Sequence, residues 1–307
     1  MLQNSSNKYL IIIAGPTAVG KTSLSIQLAK KLNCDIISAD SRQIYKEISI
    51  GTAKPDSLEM DGIKHHFIDH LSINEDYNAG AFERDVIDFL NQYFKKHNYI
   101  IMCGGTGLYI DAVCNGMDNL SQINIELRSE IEINYNQFGI TWLQEKVKQL
   151  DPEYYSIVDQ KNPVRLKRAL EVCLSSGKKY SEQRTSPSKE RNFLPIKILL
   201  NEDRQILYER INNRVDLMME KGLLNEAKQL FHLRHLNALN TVGYKELFEY
   251  FDGKTSLDFA IDEIKKNSRR YAKRQLTWFT KTNEYKQFSN KEFDAILEYL
   301  KSKLTTS

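Results

Sequence analysis

Eight consecutive residues near the start of the chain have the spacing of a phosphate-binding loop. Residues 15–22 read Gly-Pro-Thr-Ala-Val-Gly-Lys-Thr and match the pattern G-x-x-x-x-G-K-[ST]. In this pattern, backbone N–H groups and the positive end of the following helix bind phosphate oxygens. The lysine adds a cation, and the last hydroxyl can ligate Mg²⁺. We therefore expect a diphosphate or a nucleotide such as ATP to bind Gly15, Pro16, Thr17, Ala18, Val19, Gly20, Lys21 and Thr22, with Mg²⁺ on Thr22.

The residues on either side of this loop predict the strand and the helix that it requires. Tyr9–Ala14 is apolar and rich in β-branched residues, which is typical of a strand buried on both faces of a parallel sheet. Leu24, Leu28 and Leu32 follow at a spacing that places them on one face of a helix. A chance glycine-rich turn would lack this context, so phosphate binding is the better interpretation.

A carboxylate follows the second predicted strand. Residues 34–39 are mostly apolar and end at Asp40, whereas the predicted strand 99–103 ends in two glycines and Thr106. Phosphate-hydrolysing proteins with this loop usually carry a metal-binding Asp at such a strand end. Because ligands bind at the carboxyl ends of parallel strands, Asp40 can serve as a general base or hold a metal ion indirectly. The alternative for an Asp at a strand end is a helix cap.

The order of the remaining elements predicts the fold. A fourth apolar run, 193–200, precedes an amphipathic helix from about Arg204. Strands that alternate with helices predict an α/β fold, here a P-loop NTPase-like parallel sheet. Between the third and fourth strands only helical patterns occur, at 123–136, 141–150 and 164–174. We therefore expect a catalytic core at 1–114 and 192–307 and a helical insertion domain at 115–191, with a linker at 185–191.

Positive charge is concentrated in two segments. The 43 basic and 40 acidic residues leave a net charge of +3. Residues 264–281 contain seven Lys and Arg and no acid, and residues 161–191 contain nine basic and three acidic residues. These segments together carry +13, so the rest of the chain carries −10. A single basic run is usually a solvated helix face, but two beside a phosphate loop favour a nucleic acid partner.

Composition excludes other classes of protein. The chain has 307 residues, of which 41% are hydrophobic and 10% aromatic, and this excludes global disorder. It contains no apolar run of about 18 residues and does not begin like a signal peptide, so we expect a cytoplasmic protein without a membrane partner. The four scattered cysteines are expected to be reduced and inert. Adjacent histidines point in different directions, so we interpret His65 and His66 as structural residues or phosphate contacts rather than as metal ligands.

Seven short motifs together resemble one family, the bacterial tRNA dimethylallyltransferases, also called tRNA isopentenyltransferases. They occur in order between about residue 10 and residue 280: GPTAVGKT at 15–22, DSRQIY at 40–45, GTAKP at 51–55, GGTGLY at 104–109, RLKRALEV at 165–172, VGYKE at 242–246 and AKRQLTWF at 272–279. The set is far more specific than the phosphate loop alone. Asn162 and Pro163 depart from the family pattern, which usually has Asp before the arginine-containing helix. No zinc-finger tail follows Phe279.

The resemblance implies a prenyl transfer to RNA. The dimethylallyl group of dimethylallyl diphosphate would move to N6 of adenosine 37, beside the anticodon of a tRNA, with release of diphosphate. Implied partners are the anticodon stem-loop of tRNA and dimethylallyl diphosphate, the implied cofactor is Mg²⁺, and the expected state is a monomer.

The resemblance also implies roles for individual residues. Lys21 would act on the leaving group, Asp40 would be the general base, and Thr106 would lie near the substrate adenosine. The implied tRNA contacts are Asp40, Ser41, Arg42, Gln43, Thr106, Arg128, Val164, Arg165, Leu166, Lys167, Arg168, Gly243, Tyr244, Lys245, Lys273, Arg274, Gln275 and Trp278.

Two other functions are compatible with parts of the sequence. A P-loop nucleoside or small-molecule kinase would explain the loop and the strand pattern, but not the two basic segments, and it would consume ATP. A non-catalytic RNA-binding module would explain the charge but leave the phosphate loop unused.

Overall fold

The computed structural model describes residues 7–118, 125–184 and 189–305, and it divides the chain into two units. One unit contains Met1–Cys114 and Glu190–Ser307, and the other contains Asn115–Lys189. The expected limits of the insertion, 115–191, differ from the observed ones by two residues at the second boundary.

The elements follow one another as strands and helices up to the insertion, and as helices within it. The first part contains β1 (Tyr9–Ala14), α1 (Lys21–Leu32), β2 (Ile36–Ser38), α2 (Ser57–Met60), β3 (His65–His66), α3 (Ala79–Tyr93), β4 (Tyr99–Gly104) and α4 (Gly107–Asn115). The helices α5 (Ile125–Leu150), α6 (Pro152–Ile157), α7 (Pro163–Ser176) and α8 (Tyr180–Gln183) come next. The chain continues with β5 (Leu194–Leu200), α9 (Arg204–Glu220), α10 (Leu223–Leu230), α11 (Tyr244–Phe251), α12 (Leu257–Phe279), β6 (Lys286–Phe288) and α13 (Phe293–Thr305).

A parallel sheet forms the centre of the first unit. Its strand order is β3-β2-β4-β1-β5-β6, and each neighbouring pair is parallel. All six residues of β1 are buried, as expected for a strand covered on both faces. Ile11 pairs with Ile101 of β4 on one side and with Ile196 of β5 on the other. The predicted α/β fold with a P-loop-like parallel sheet is confirmed.

Hydrophobic cores on the sheet and among the later helices help to stabilise the described part of this first unit. Leu24 and Leu28 of α1 pack on the sheet as their spacing predicted, and Leu32 is partly buried beside them. A second core lies among the helices α9 to α12 and includes Val215, Leu247 and Ile264. This second core holds α9 and α12, the two helices that supply residues to the candidate site.

The second unit is a helical bundle with its own small core. Leu143, Leu166 and Leu170 are buried there. The predicted break between two helices occurs at Gly139, whose φ of 73° interrupts α5. Asn162 accepts a hydrogen bond from the N–H of Arg165 at 3.3 Å and caps α7, with a proline at its first position. The departure from the family pattern at this point therefore forms an ordinary helix start.

Some expectations concern residues at the edges of these units. The predicted linker 185–191 lies partly outside the described residues, at 185–188. Arg191, its last residue, is described and donates hydrogen bonds to Glu83 at 2.8 Å and to the carbonyl of Ala112 at 3.0 Å.

Every helix of the described part of the chain is too short or too polar to cross a membrane.

The histidine pair and the cysteines take structural positions. His66 lies 2.7 Å from a carboxylate oxygen of Asp35, and its ring packs against Phe89. Burial lowers the pKa of both His65 and His66. All four cysteines are free, and burial raises the pKa of the Cys34 thiol to about 12, which keeps it protonated and unreactive.

Candidate active site

The phosphate loop lies between β1 and α1, where the sequence predicted it. Gly20 has a φ of 100°, which favours glycine, and a Cβ there would lie 2.5 Å from Nδ2 of Asn290, so that side chain would have to shift. Lys21 is the first residue of α1, which places the loop at the positive end of that helix. This arrangement is suited to binding a phosphate group.

The ammonium group of Lys21 is held inside the loop. Its Nζ donates a hydrogen bond to the carbonyl of Pro16 at 2.8 Å. Burial lowers its pKa, and so does the nearby guanidinium of Arg214, whereas Cys103 and Asp40 raise it; the net result is a pKa of about 8. A bound anion would favour the protonated, positively charged form of Lys21, which burial in the loop disfavours.

A second cation reaches the loop from α9. Nη1 of Arg214 donates to Oγ1 of Thr17 at 2.9 Å, and Nη2 donates to the carbonyl of Ala53 at 3.4 Å. Burial lowers the pKa of Arg214, and the carboxylate of Asp40 raises it. The sequence analysis did not identify Arg214. Its position could have identified it. Arg214 continues the apolar stripe of Leu207 and Ile211 on α9, where a charge is costly unless it has a partner.

Asp40 lies among these cations at the carboxyl end of β2. Its Oδ1 accepts hydrogen bonds from the N–H groups of Arg42 at 2.9 Å and Gln43 at 3.4 Å, so it stabilises the following turn. Its charge also acts on the pKa of Lys21, Arg214 and Tyr271. Asp40 can therefore stabilise the turn with Oδ1 and still act as a base with Oδ2, because neither of these two hydrogen bonds uses Oδ2.

Thr106 joins the turn after β2 to helix α12. Its Oγ1 accepts a hydrogen bond from the N–H of Ser41 at 3.1 Å and also lies 3.4 Å from the Ser41 hydroxyl. The side chain of Tyr271 interacts with that of Thr106, and burial raises the pKa of this tyrosine to about 12. Tyr271 therefore belongs to the site.

Arg42 and Gln43 hold neighbouring loops. Nε2 of Gln43 donates to the carbonyls of Thr52 and Ala53, each at 3.2 Å. Nη1 of Arg42 donates to the carbonyl of Asn237 at 3.0 Å. Both side chains therefore have structural partners besides any contact with RNA.

Helix α12 brings two further predicted residues to the site. Gln275 is buried; its Oε1 accepts from the N–H of Thr17 and its Nε2 donates to the carbonyl of Gly105. Trp278 is 43% exposed and donates from Nε1 to Asp111 at 2.8 Å. The ring covers Gly107, where a Cβ would lie 2.2 Å from it.

Two predicted tRNA contacts have side chains that are fully buried in this structure. Tyr244 is 0% exposed and donates its hydroxyl to Glu226 at 2.5 Å. The same Glu226 carboxylate accepts hydrogen bonds from the N–H groups of residues 49–51 at 2.9–3.0 Å. In the second unit, Leu166 is 0% exposed and packs in the helical core. These two side chains pack inside their units and support the fold. Gly243, the residue before Tyr244, is also buried.

Other predicted contacts lie on the surface of their own unit. Lys245, Lys273 and Arg274 are exposed in the first unit. In the second unit Val164 is 74% exposed, Lys167 binds Glu132 at 2.6 Å, and Glu171 pairs with both Arg128 and Arg168. Arg165 is exposed beside them.

Comparison with known proteins identifies relatives of this chain. The family model described as IPP transferase matches residues 43–282. A tRNA dimethylallyltransferase of Christiangramia forsetii is 52% identical, and the match covers 98% of this chain and all of the relative. One from Flavobacterium johnsoniae is 48% identical over 97% of this chain and all of the relative.

Solved structures give the same result at the level of the fold. The full-length tRNA isopentenylpyrophosphate transferase of Bacillus halodurans superposes with a TM-score of 0.71 at 37% identity, covering 97% of each chain. A eukaryotic dimethylallyltransferase captured while acting on tRNA has a TM-score of 0.75 at 29% identity, covering 89% of this chain and 70% of that one. The extent and identity of these matches show that the chain belongs to the IPP transferase family.

Proposed function

We propose that this protein transfers the dimethylallyl group of dimethylallyl diphosphate to N6 of adenosine 37 in tRNA, releasing diphosphate. One observation carries the proposal: the cations Lys21 and Arg214 converge on the phosphate loop with the carboxylate of Asp40 beside them. Cations that stabilise a leaving diphosphate and a base that accepts a proton are the two needs of this reaction. The names of the relatives support the same activity.

The diphosphate end of the donor would lie in the loop. As the allylic C–O bond breaks, negative charge grows on the leaving oxygens, and Lys21 and Arg214 are placed to stabilise it. Burial lowers the pKa of both Lys21 and Arg214. An anion bound between them would raise both pKa values again.

The residues present are compatible with Mg²⁺. This ion usually takes one or two protein oxygens together with phosphate oxygens and water, and needs no protein cage. In the described ranges, no group of three or more His, Cys, Asp or Glu side chains forms such a cage, and the exposed Thr22 follows Lys21 at the start of α1. Thr22 would hold the ion, which would neutralise part of the diphosphate charge.

Asp40 would act on the acceptor. The N6 amino group of adenine is a weak nucleophile, and a carboxylate that takes its proton as the C–N bond forms contributes about 10²–10⁴-fold to the rate. Thr106, joined to Ser41 and Tyr271, would position the adenosine beside Asp40. A single-stranded anticodon loop makes it easy to extract one base from its stack.

The tRNA would be held by exposed and partly exposed basic residues on each unit. Lys245, Lys273 and Arg274 present charge on the first unit, and Arg165, Lys167, Arg168 and Arg128 do so on the second, beside Val164. Such side chains bind phosphates with little dependence on sequence. We further propose that the protein works as a monomer in the cytoplasm.

The proposal is tested by following a label. The protein is incubated with unmodified tRNA, Mg²⁺ and either dimethylallyl diphosphate labelled in its allyl group or ATP labelled in its γ-phosphate. We expect label to enter tRNA from the first donor only. Transfer of phosphate from ATP would instead support a kinase, and tRNA binding without transfer from either donor would support a binding module.

A further inference from the structure

Gln275 connects the phosphate loop to the loop that follows β4. Its Oε1 accepts a hydrogen bond from the N–H of Thr17 at 2.9 Å, and its Nε2 donates to the carbonyl of Gly105 at 2.9 Å. The side chain is buried, so an apolar replacement would leave an N–H and a carbonyl without partners. One side-chain amide therefore fixes two backbone segments that are distant in the sequence.

The surroundings of Gly105 are fitted to this bridge. A Cβ at position 105 would lie 2.1 Å from Nε2 of Gln275, so the absence of a side chain lets the amide reach the backbone. The next residue is Thr106, which binds the backbone of Ser41. The bridge thus also fixes the segment that carries a proposed catalytic residue.

The other end of the bridge holds a strained part of the phosphate loop. Ala18, directly after Thr17, has a φ of 64°, in the left-handed region. A non-glycine residue in this region is strained and persists only where the surroundings hold it. Thr17 is fixed at two points, its N–H by Gln275 and its hydroxyl by Arg214.

Gln275 and the exposed basic residues of helix α12 lie on different faces of that helix. Tyr271, Gln275 and Trp278 are spaced by four and three residues, which places them on one face of the helix. Their partners are Thr106, the two bridged loops and Asp111. Lys273 and Arg274 lie between them in sequence and are exposed. Gln275 therefore faces the protein interior, away from any RNA that binds the charged side of this helix.

We propose that Gln275 is a positioning residue for the diphosphate cradle and not a contact to tRNA. By holding Thr17 it fixes the loop that contains Lys21 before the anion arrives, and preorganised donors bind developing charge without reorganisation. The inference rests on the proposed function only in taking a diphosphate as the ligand of the loop.

The test compares two substitutions on the same helix in the full-length protein. Gln275→Met keeps the length of the side chain and removes both hydrogen bonds, whereas Arg274→Met removes an exposed charge one residue away. We expect Gln275→Met to weaken calorimetric binding of inorganic diphosphate with Mg²⁺ by about tenfold or more. Its affinity for tRNA should change by less than about threefold, and Arg274→Met should show the opposite pattern.

A local measurement separates positioning from general loss of structure. In Gln275→Met, amide hydrogen exchange should accelerate in the peptide that covers residues 15–20 and remain unchanged in β5 and α13. If Gln275→Met does not fold, Gln275→Asn is used instead, because it stays polar but is one methylene too short to reach both partners. The same pattern is expected for it.

Lys21→Ala distinguishes failure of this inference from failure of the proposed function. If Lys21→Ala loses diphosphate binding while the Gln275 variant binds diphosphate and exchanges amides like the wild type, Gln275 has no positioning role. Loss of tRNA affinity with intact diphosphate binding would restore it as a tRNA contact. If Lys21→Ala binds diphosphate normally, the loop is not the cradle and the proposed function itself fails.

Discussion

Nη1 of Arg214 lies 2.9 Å from Oγ1 of Thr17, so a helix far along the chain supplies a second cation to the phosphate loop. Lys21 comes from within the loop, and its pKa responds to the charges of both Arg214 and Asp40. The site therefore consists of two cations and one carboxylate in mutual electrostatic contact.

Arg214→Lys should lower kcat/KM for dimethylallyl diphosphate by about 10²–10³-fold, although the charge is kept. Lysine has a single ammonium group and cannot bind Thr17 and Ala53 together as the planar guanidinium does. Steady-state kinetics at saturating tRNA measure the effect. Arg210→Lys, one turn earlier on α9 and paired with Glu202, is the matched control and should retain normal activity. Equal losses in the two variants would contradict a specific role for Arg214.

Asp40→Asn should lower the rate of transfer by about 10²–10⁴-fold while tRNA binding is largely preserved. Asparagine keeps an oxygen that can accept the N–H groups of Arg42 and Gln43, so the turn should survive. Single-turnover transfer and filter binding of tRNA measure the two quantities separately. Asp35→Asn, just before the same strand and bonded to His66, controls for the loss of a nearby charge. A parallel fall in affinity and rate would refute the assignment of Asp40 as base.

Diphosphate affinity should fall as the pH rises through about 8, the pKa of Lys21 in the protein without ligand. The lysine is charged below this pKa and neutral above it, so it attracts the anion only on the acid side. Calorimetry from pH 7 to pH 9.5 measures the affinity. Lys21→Arg stays charged throughout and corrects for protonation of the ligand itself. A ratio of wild-type to Lys21→Arg affinity that does not change with pH would contradict the prediction.

Replacing Lys273 and Arg274 together by Ala should weaken tRNA binding and reduce its salt dependence. Each phosphate contact releases counterions, so losing two should reduce the slope of log K against log salt by about 1 to 2. Replacing Lys95 and Lys96 together by Ala is the control, because these residues precede β4 at the amino edge of the sheet, opposite the site. An unchanged slope in the first double variant would show that those charges do not contact the RNA.

Glu226→Ala should reduce the free energy of unfolding by about 3 kcal/mol, because three backbone N–H groups and the Tyr244 hydroxyl lose one charged acceptor. Tyr244→Phe removes one of these four bonds and should cost about 1 kcal/mol. Urea denaturation measures both values. Asn225→Ala, the exposed neighbour on α10, should lie within about 0.5 kcal/mol of the wild type. A similar loss in all three variants would contradict the anchoring role of Glu226.

Sequence reasoning succeeded where the relevant residues are contiguous. The strand Tyr9–Ala14, the phosphate loop and the start of α1 form one segment whose pattern predicts both structure and chemistry. The strand order of the sheet required coordinates, because β3 and β6 have two and three residues and are too short to show a period.

The rest of the site depends on contacts between distant residues. Arg214 is 197 positions from Thr17, and Gln275 is 258 positions from it, so no local pattern links them. The motif resemblance also predicted every residue of 164–168 as a tRNA contact. Helical geometry, however, buries Leu166 and exposes Val164. Burial therefore decides which motif positions can reach a partner and which ones support the fold.

The central claim is tested most directly by locating the transferred group in the RNA. Unmodified tRNA is treated with the protein, Mg²⁺ and labelled dimethylallyl diphosphate, digested to nucleosides and oligonucleotides, and analysed by mass spectrometry. We predict one labelled nucleoside, an adenosine carrying the dimethylallyl group on N6 directly 3′ of the anticodon, and none with Asp40→Asn in the same single-turnover interval. Label on another nucleoside, or full labelling by Asp40→Asn, would contradict this account.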